Sequence, residues 1–331
     1  MIETLFPLTI SQSVLADVYR CEVYFFRNWC QHLVGTGKNV DLIAGGLMAS
    51  ACEITRKAAY NDKKPLDEAI ELGYNFILES ESTGDVLKSN DRLAFLFKKY
   101  FQKYPVDKSW TPIALVDGTF SIEYYFEFDL GIPHPDIPER NICYSGKLDL
   151  LAEKRLPGGR VINALIDEKT TKNVKRVEGS KVIDLAKEEK AYLSSGQLIG
   201  YAWAAKQLGI NIETTFIRRI PISLTYEPAF QLEIPINDFM IEAWSKSTIN
   251  KIAELVERYK YYKKTGDLFS SFTPVYSDGC NAYNRSCKFK VGCTDKDGEA
   301  LLAQTYEQRI ITPKDKELVT IEQYKQMEGI K

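Results

Sequence analysis

The sequence predicts an α/β protein with a central mixed β-sheet flanked by helices, a helical region in front of it and a cysteine cluster behind it. Two observations carry this prediction. Helical and strand patterns follow one another in the order helix, strands, helix, strands, helix, which suits a mixed sheet better than a doubly wound one. The 331 residues are 44% hydrophobic and 27% charged, enough for one large globular domain or one domain with additions, and no internal repeat or low-complexity linker divides them.

Taken in order, Ser11 is a plausible N-cap for a helix through Trp29, and Asp41 begins a second reaching about Tyr60. Further helices are expected at Leu66 to Leu78 and Ser89 to Phe101. Strand patterns then occupy Ile113 to Val116 and Ser121 to Phe128. A hairpin follows, its first arm at Asn141 to Leu151, its turn at Pro157-Gly158-Gly159 and its second arm at Val161 to Asp167. A helix from about Lys187 to Leu208 ends at Gly209, strands are expected at Thr214 to Ile222 and Phe230 to Pro235, and Asn237 or Asp238 caps a helix continuing to about Lys264. Three segments result, all expected in one compact unit: an N-terminal helical region (1–105), a central core (106–265) and a C-terminal cysteine segment with a tail (266–331).

Composition bounds the function. A formal charge of -2 gives no global attraction to nucleic acid, so any DNA contact must be a local patch. Met1 to Val14 has neither a basic region nor an apolar core, and no stretch approaches eighteen uninterrupted apolar residues, so the expected location is the cytoplasm of a cell or host, away from membranes. Seven cysteines, an odd count, argue against a disulfide framework and for free thiols or metal ligands.

The chemistry concentrates on the hairpin. Gly146-Lys147-Leu148-Asp149 ends one arm, and Asp167-Glu168-Lys169 ends the other. Two carboxylates and an ammonium at adjacent strand ends are what metal-assisted phosphodiester cleavage requires: oxygen ligands for Mg2+ or Mn2+, and a lysine that orients or deprotonates water. Glu168 alternates to the opposite face, so its carbonyl rather than its carboxylate is expected toward the metal. On the following helix Gln197 and Tyr201 stand four apart and share a face, where an amide and a phenol could engage a nucleic-acid strand. Lys169, Lys172, Lys175 and Arg176 form a basic run, followed by Lys181, Lys187 and Lys190; such a run is either a phosphate-binding patch or a solvated loop. Tyr19, Tyr24, Phe25, Phe26 and Trp29 could stack on bases, but their helical spacing favours core packing.

Cys280, Cys287 and Cys293 cluster late in the chain, while Cys21 lies far upstream. Four thiolates can hold an iron-sulfur cluster or a structural zinc; the absence of C-x2-C knuckles favours the cluster. Cys30, Cys52 and Cys143 read as buried apolar thiols.

Together, Gly-x-x-Asp, Asp-x-Lys about eighteen residues later and Gln-x-x-x-Tyr on a following helix resemble the RecB-type branch of the PD-(D/E)XK nuclease superfamily. One upstream cysteine with three near the C-terminus is similar to the iron-sulfur members of that branch, the AddB-type nucleases, CRISPR-associated spacer-acquisition nucleases and their bacteriophage relatives. The resemblance spans about Ser11 to Cys293 and implies a restriction-endonuclease-like core. It further implies Asp149 and Asp167 as Mg2+ or Mn2+ ligands, Lys169 as the catalytic lysine, and Gln197, Tyr201 and Lys172 on the substrate. Cys21, Cys280, Cys287 and Cys293 would ligate a structural [4Fe-4S] cluster. Two departures stand out. Ala49 occupies the position where many relatives carry a histidine, leaving Glu53 as a substitute ligand, and six residues separate Cys280 from Cys287 where several relatives have two. The implied function is a DNA exonuclease in recombination, repair or phage DNA metabolism. The alternatives are a catalytically weak DNA-binding subunit beside a helicase or recombinase, or a structural zinc protein.

Overall fold

A computed structural model describes residues 3–35, 40–105, 110–171, 192, 195–222, 226–276, 279–284, 286–312, 314 and 317–330. The elements run β1 (Thr9–Ile10), α1 (Gln12–Arg20), α2 (Glu22–Phe25), a π turn (Phe26–Cys30), β2 (Leu33–Val34), α3 (Val40–Tyr60), α4 (Leu66–Glu79), α5 (Asn90–Lys103), β3 (Thr111–Pro112), β4 (Ile122–Pro133), β5 (Asn141–Arg155), β6 (Val161–Thr171), α6 (Gly196–Gln207), β7 (Thr214–Pro221), β8 (Phe230–Ile234) and α7 (Asp238–Thr265). Short pieces follow, among them a 3-10 turn (Gly279–Asn284), the single-turn helix Val291–Thr294 and the longer helix Gly298–Thr305. The chain forms two compact units: residues 1–37, 127–146 and 245–331 make one, and residues 38–126 and 147–244 the other.

In the second unit the sheet is mixed and flanked by helices, as the element order predicts. β5 and β6 pair antiparallel from Arg155↔Val161 to Leu150↔Ile166. Gly158 and Gly159 turn the chain between them at φ +90° and +86°, conformations that cost a Cβ-bearing residue dearly. β6 and β7 run parallel from Ala164↔Thr214 to Thr171↔Pro221, the crossover carrying α6, and β7 and β8 return antiparallel. Leu150, Ala152, Ala164, Ile166 and Phe216 pack with Trp110 and Ile122 on one sheet face. Ile220, Ile222 and Ala229 join a larger core with α3, α4 and α5. Small residues set the spacing of that bundle: a Cβ on Gly73 would lie 2.6 Å from Phe97 Cζ and 2.7 Å from the Ala51 carbonyl oxygen.

In the first unit, Ser11 caps α1 by accepting a hydrogen bond from Val14 N, as expected. The single helix expected from Ser11 to Trp29 is instead two helices and a π turn. Cys21 adopts extended backbone (φ -173°), ending α1 and starting α2. Tertiary contacts outweigh helix propensity here, because the buried Glu22 takes Lys251 at 2.6 Å, Arg258 at 3.1 Å and Thr273 N at 2.8 Å. The strand expected at Ile113 to Val116 reduces to an isolated Ala114↔Phe120 bridge after the short β3, since Gly118 (φ +81°) closes a turn between Ala114 and Phe120. Gly209 (φ +78°) ends α6 as predicted, and the expected start of that helix near Lys187 lies outside the described residues. Phe6, Phe25 and Tyr259 pack edge to face in this unit's interior. Among the described residues no helix is long and apolar enough to cross a membrane.

Candidate functional site

The β5–β6 register places Asp149 and Asp167 at the next antiparallel positions beyond Leu150↔Ile166. Residues directly opposite on neighbouring strands point to the same face with Cβ atoms about 5 Å apart. The pairing opens at that point, and the amide of Glu168 donates to Asp149 Oδ2 at 2.7 Å instead of to a strand partner. Asp167 is 1% exposed. Its Oδ1 accepts from Lys169 Nζ at 2.8 Å and from Gln197 Nε2 at 3.4 Å, while its Oδ2 has no hydrogen-bond partner. Gln197 also donates to Tyr201 Oη at 3.1 Å, and the Tyr201 ring stands edge-on to Phe126. One turn of α6 thus brings the amide and phenol to the carboxylates.

The electrostatics follow from two like charges in a dry place. Burial pushes the Asp149 carboxyl well above its ordinary range, and Asp167 adds to the rise. Asp167 is also raised by burial, against the opposing pull of Lys169. Burial by itself would lower Lys169, but Asp167 and Asp149 outweigh it and hold the ammonium above its usual value.

Glu168 faces the other side of β6. Its carboxylate is clamped by Arg56 of α3, with the second guanidinium contact at 3.1 Å, and accepts from Tyr100 Oη; Arg218 donates to the same phenol at 3.3 Å. The Arg56 pairing holds Glu168 below the ordinary carboxylate range even though it is buried. This buried pair fixes α3 against β6, where a Cβ on Gly45 would lie 3.4 Å from Thr170 Oγ1. Gly45, Ala49 and Glu53 are spaced along one stripe of α3. The Glu53 carboxylate is taken by Lys57 at 2.6 Å and by Lys147 at 3.2 Å.

Two residues not anticipated join this group. Lys147, two before Asp149 and on its face of β5, bridges Glu53 to Glu123 at 3.2 Å each. Glu123 sits at φ +48°, a left-handed conformation uncommon for a residue with a side chain, and its Oε1 lacks a partner. Strand alternation could have revealed Lys147. Nothing in the sequence marks the left-handed kink at Glu123.

The cysteines meet in the other unit. Cys21, Cys280, Cys287 and Cys293 line one cavity of about 320 Å3, open solvent at its mouth included, together with Tyr24, Val275, Gly279 and Phe289. Val275 N donates to Cys21 Sγ at 3.4 Å, and Cys287 N donates to the Cys280 carbonyl at 2.7 Å, which ties the two cysteines' backbones together. Two cations attend the thiols. Arg20 donates to the Gly279 carbonyl at 3.0 Å. Arg27 is fully buried, donates to the Gly292 carbonyl and pairs with Glu299, both at 2.8 Å, yet its Nε and Nη1 have no partner. Burial raises the Cys287 and Cys293 thiols, while Arg20 and Arg27, respectively, pull them down. Cys30 and Cys52 are buried and their thiols pushed up by burial, in keeping with apolar roles; Cys143 is half-buried.

Among the described residues no three His, Cys, Asp or Glu side chains stand ready-made around a metal position. Lys172 and the basic run from Lys175 to Lys190 lie outside the described residues. Tyr24, Phe25 and Phe26 pack within the first unit, while Tyr19 is 60% exposed.

No family model matches the chain, and no curated protein matches it. Among solved structures the chain is similar to a Eubacterium rectale protein named provisionally as an exonuclease, with a TM-score of 0.43 and 14% identity over 87% of this chain and 93% of that one. It is also similar to a protein named SSO0001, with a TM-score of 0.24 and 14% identity over 61% of this chain and 73% of that one. Neither likeness is close enough to assign a role to any residue.

Proposed function

We propose that the chain is a divalent-cation-dependent DNA nuclease, an exonuclease acting on ends or single strands, with a structural [4Fe-4S] cluster in its first unit. The single observation that carries the nuclease reading is Asp167. A carboxylate so buried, opposite a second one, with an oxygen left without a partner, is costly unless a cation completes it. Asp149 and Asp167 are hard oxygen donors suited to Mg2+ or Mn2+. When bound, that cation supplies positive charge at the scissile phosphate and acidifies a water. Lys169 stays an ammonium beside Asp167, oriented to steady the attacking water and to offset charge on the phosphate. Gln197 and Tyr201 would hold the substrate strand over the carboxylates, and Lys172, which lies outside the described residues, would neutralise its phosphates. Glu53, whose carboxylate Lys57 and Lys147 now hold, would reach the cation directly or through water. Recombination, repair or phage DNA metabolism is the setting that such an activity serves, beside a helicase or recombinase that opens the duplex.

Four cysteines around one cavity, beside a buried arginine with unused donors, support the cluster reading, because a cluster with four thiolates carries net negative charge that Arg20 and Arg27 offset. Zinc is the alternative occupant. Brown protein with broad visible absorbance after anaerobic purification identifies the cluster, and a colourless zinc-bearing protein rejects it.

Degradation of end-labelled DNA with Mg2+ or Mn2+ tests the activity. Asp167→Ala and Lys169→Ala should each lose about 10^2- to 10^4-fold of the rate. Equal degradation by wild type and Lys169→Ala would refute the catalytic assignment; DNA binding without any cleavage would leave an accessory DNA-binding protein.

A further inference from the structure

The group at the mouth of the β5–β6 opening contains more carboxylates than a single cation needs. Glu53 and Glu123 converge on the Lys147 ammonium at 3.2 Å each, and Lys147 stands two residues from Asp149 on the same face of β5. The Glu123 side chain is 6% exposed, and one of its oxygens is unpartnered. A buried carboxylate with an oxygen to spare, meeting a half-buried one at a single positive point, resembles two ligands of a cation, yet a lysine fills the centre. We propose that the Lys147 ammonium stands in for a second cation, so that the chain holds one divalent cation, at Asp149 and Asp167, where the neutral variant at position 147 would hold two.

Charge balance supports this. With every carboxylate ionised, as a bound cation demands, Glu53, Glu123, Asp149 and Asp167 against the ammonium groups of Lys57, Lys147 and Lys169 leave one negative charge. One divalent cation converts that to one positive charge, suited to a phosphate; a second beside Lys147 would meet like charge. Removing Lys147 leaves Glu53 and Glu123, which now share its ammonium, as two oxygen donors for a second hard cation that takes its remaining ligands from water.

The proposal rests on the reading of Asp149 and Asp167 as cation ligands, and the test separates the two. Mn2+ is titrated into full-length, anaerobically purified protein and free Mn2+ is followed by its paramagnetic resonance signal. Wild type should bind one Mn2+ per chain at this centre, Lys147→Met two, and Lys147→Arg one. Asp167→Asn should lose the wild-type site. Lys147→Gln serves as a second neutral variant if Lys147→Met does not fold. Two ions on wild type, or one on both neutral variants, would overturn the proposal while leaving the parent reading intact. No binding to wild type, or binding indifferent to Asp167→Asn, would remove the parent reading and the proposal with it.

Discussion

Asp149, the proposed cation ligand, works against the fold that holds it. Its folded carboxyl binds a proton more tightly than the unfolded chain does, so its contribution to stability is fully present below the unfolded carboxylate value and is lost as pH rises through the folded one. Above the unfolded carboxylate value the cation-free protein therefore bears a cost for this group, either as a buried charge or as a bound proton. Asp149→Asn keeps an oxygen to accept from Glu168 N and removes the charge, and should raise the melting temperature of the cation-free protein by about 2 °C while abolishing nuclease activity. Thermal denaturation with and without Mg2+ measures both halves, since Mg2+ should stabilise wild type and not the variant. Ala49→His places an imidazole on the α3 stripe between Gly45 and Glu53; it should lower the Mg2+ concentration needed for half-maximal rate by about tenfold, equivalent to roughly 1.4 kcal/mol. An unchanged requirement would mean that position 49 does not reach the cation.

Elements position these residues through close approach and through interruption. α3 lies where it does because Gly73 lets α4 come near it, and Gly73→Ala would drive a Cβ into Phe97, Thr55 and the Ala51 carbonyl. The substitution should cost about 1–3 kcal/mol in urea denaturation. The mirror case is the extended residue between α1 and α2. A continuous helix through Cys21 is what local propensity favours, and the break sets the thiol at the cavity shared with Cys280, Cys287 and Cys293. The opening of β5 from β6 is the third instance: strand pairing stops at Leu150↔Ile166, and the next residue pair supplies the site instead of the ladder.

The whole chain shows two compact units that interleave along the sequence. In the first unit His32 is buried at φ +53°, its Nε2 3.0 Å from the Leu5 carbonyl, and burial pushes its pKa down to about 4. The folded chain thus favours the neutral ring. Stability from this group is present above the ordinary histidine value and is lost as pH falls from about 6.5 to about 4, by roughly 3 kcal/mol. His32→Asn tolerates the left-handed backbone and does not titrate, so its denaturation midpoint should fall less steeply over that interval than wild type's. A parallel fall in both proteins would assign the acid sensitivity elsewhere, with His134, also lowered by burial, the first alternative.

Periodicity and punctuation made much of this legible. The Pro157-Gly158-Gly159 turn fixed which residues of the hairpin oppose each other, and alternation put Asp167 and Lys169 on one face and Glu168 on the other, where Arg56 holds it. Helical spacing put Gln197 beside Tyr201. These are short-range consequences of 2.0- and 3.6-residue geometry, and a sequence carries them directly. What only the tertiary structure decided are contacts across long stretches of chain: the Lys147 bridge between Glu53 and Glu123, the left-handed turn at Glu123, the break at Cys21 and the buried Arg27 beside the cysteines. Each sets a local preference against burial and charge pairing supplied from far along the sequence, and the distant contacts prevail because desolvated charges need partners more than a helix or strand needs one more residue in register.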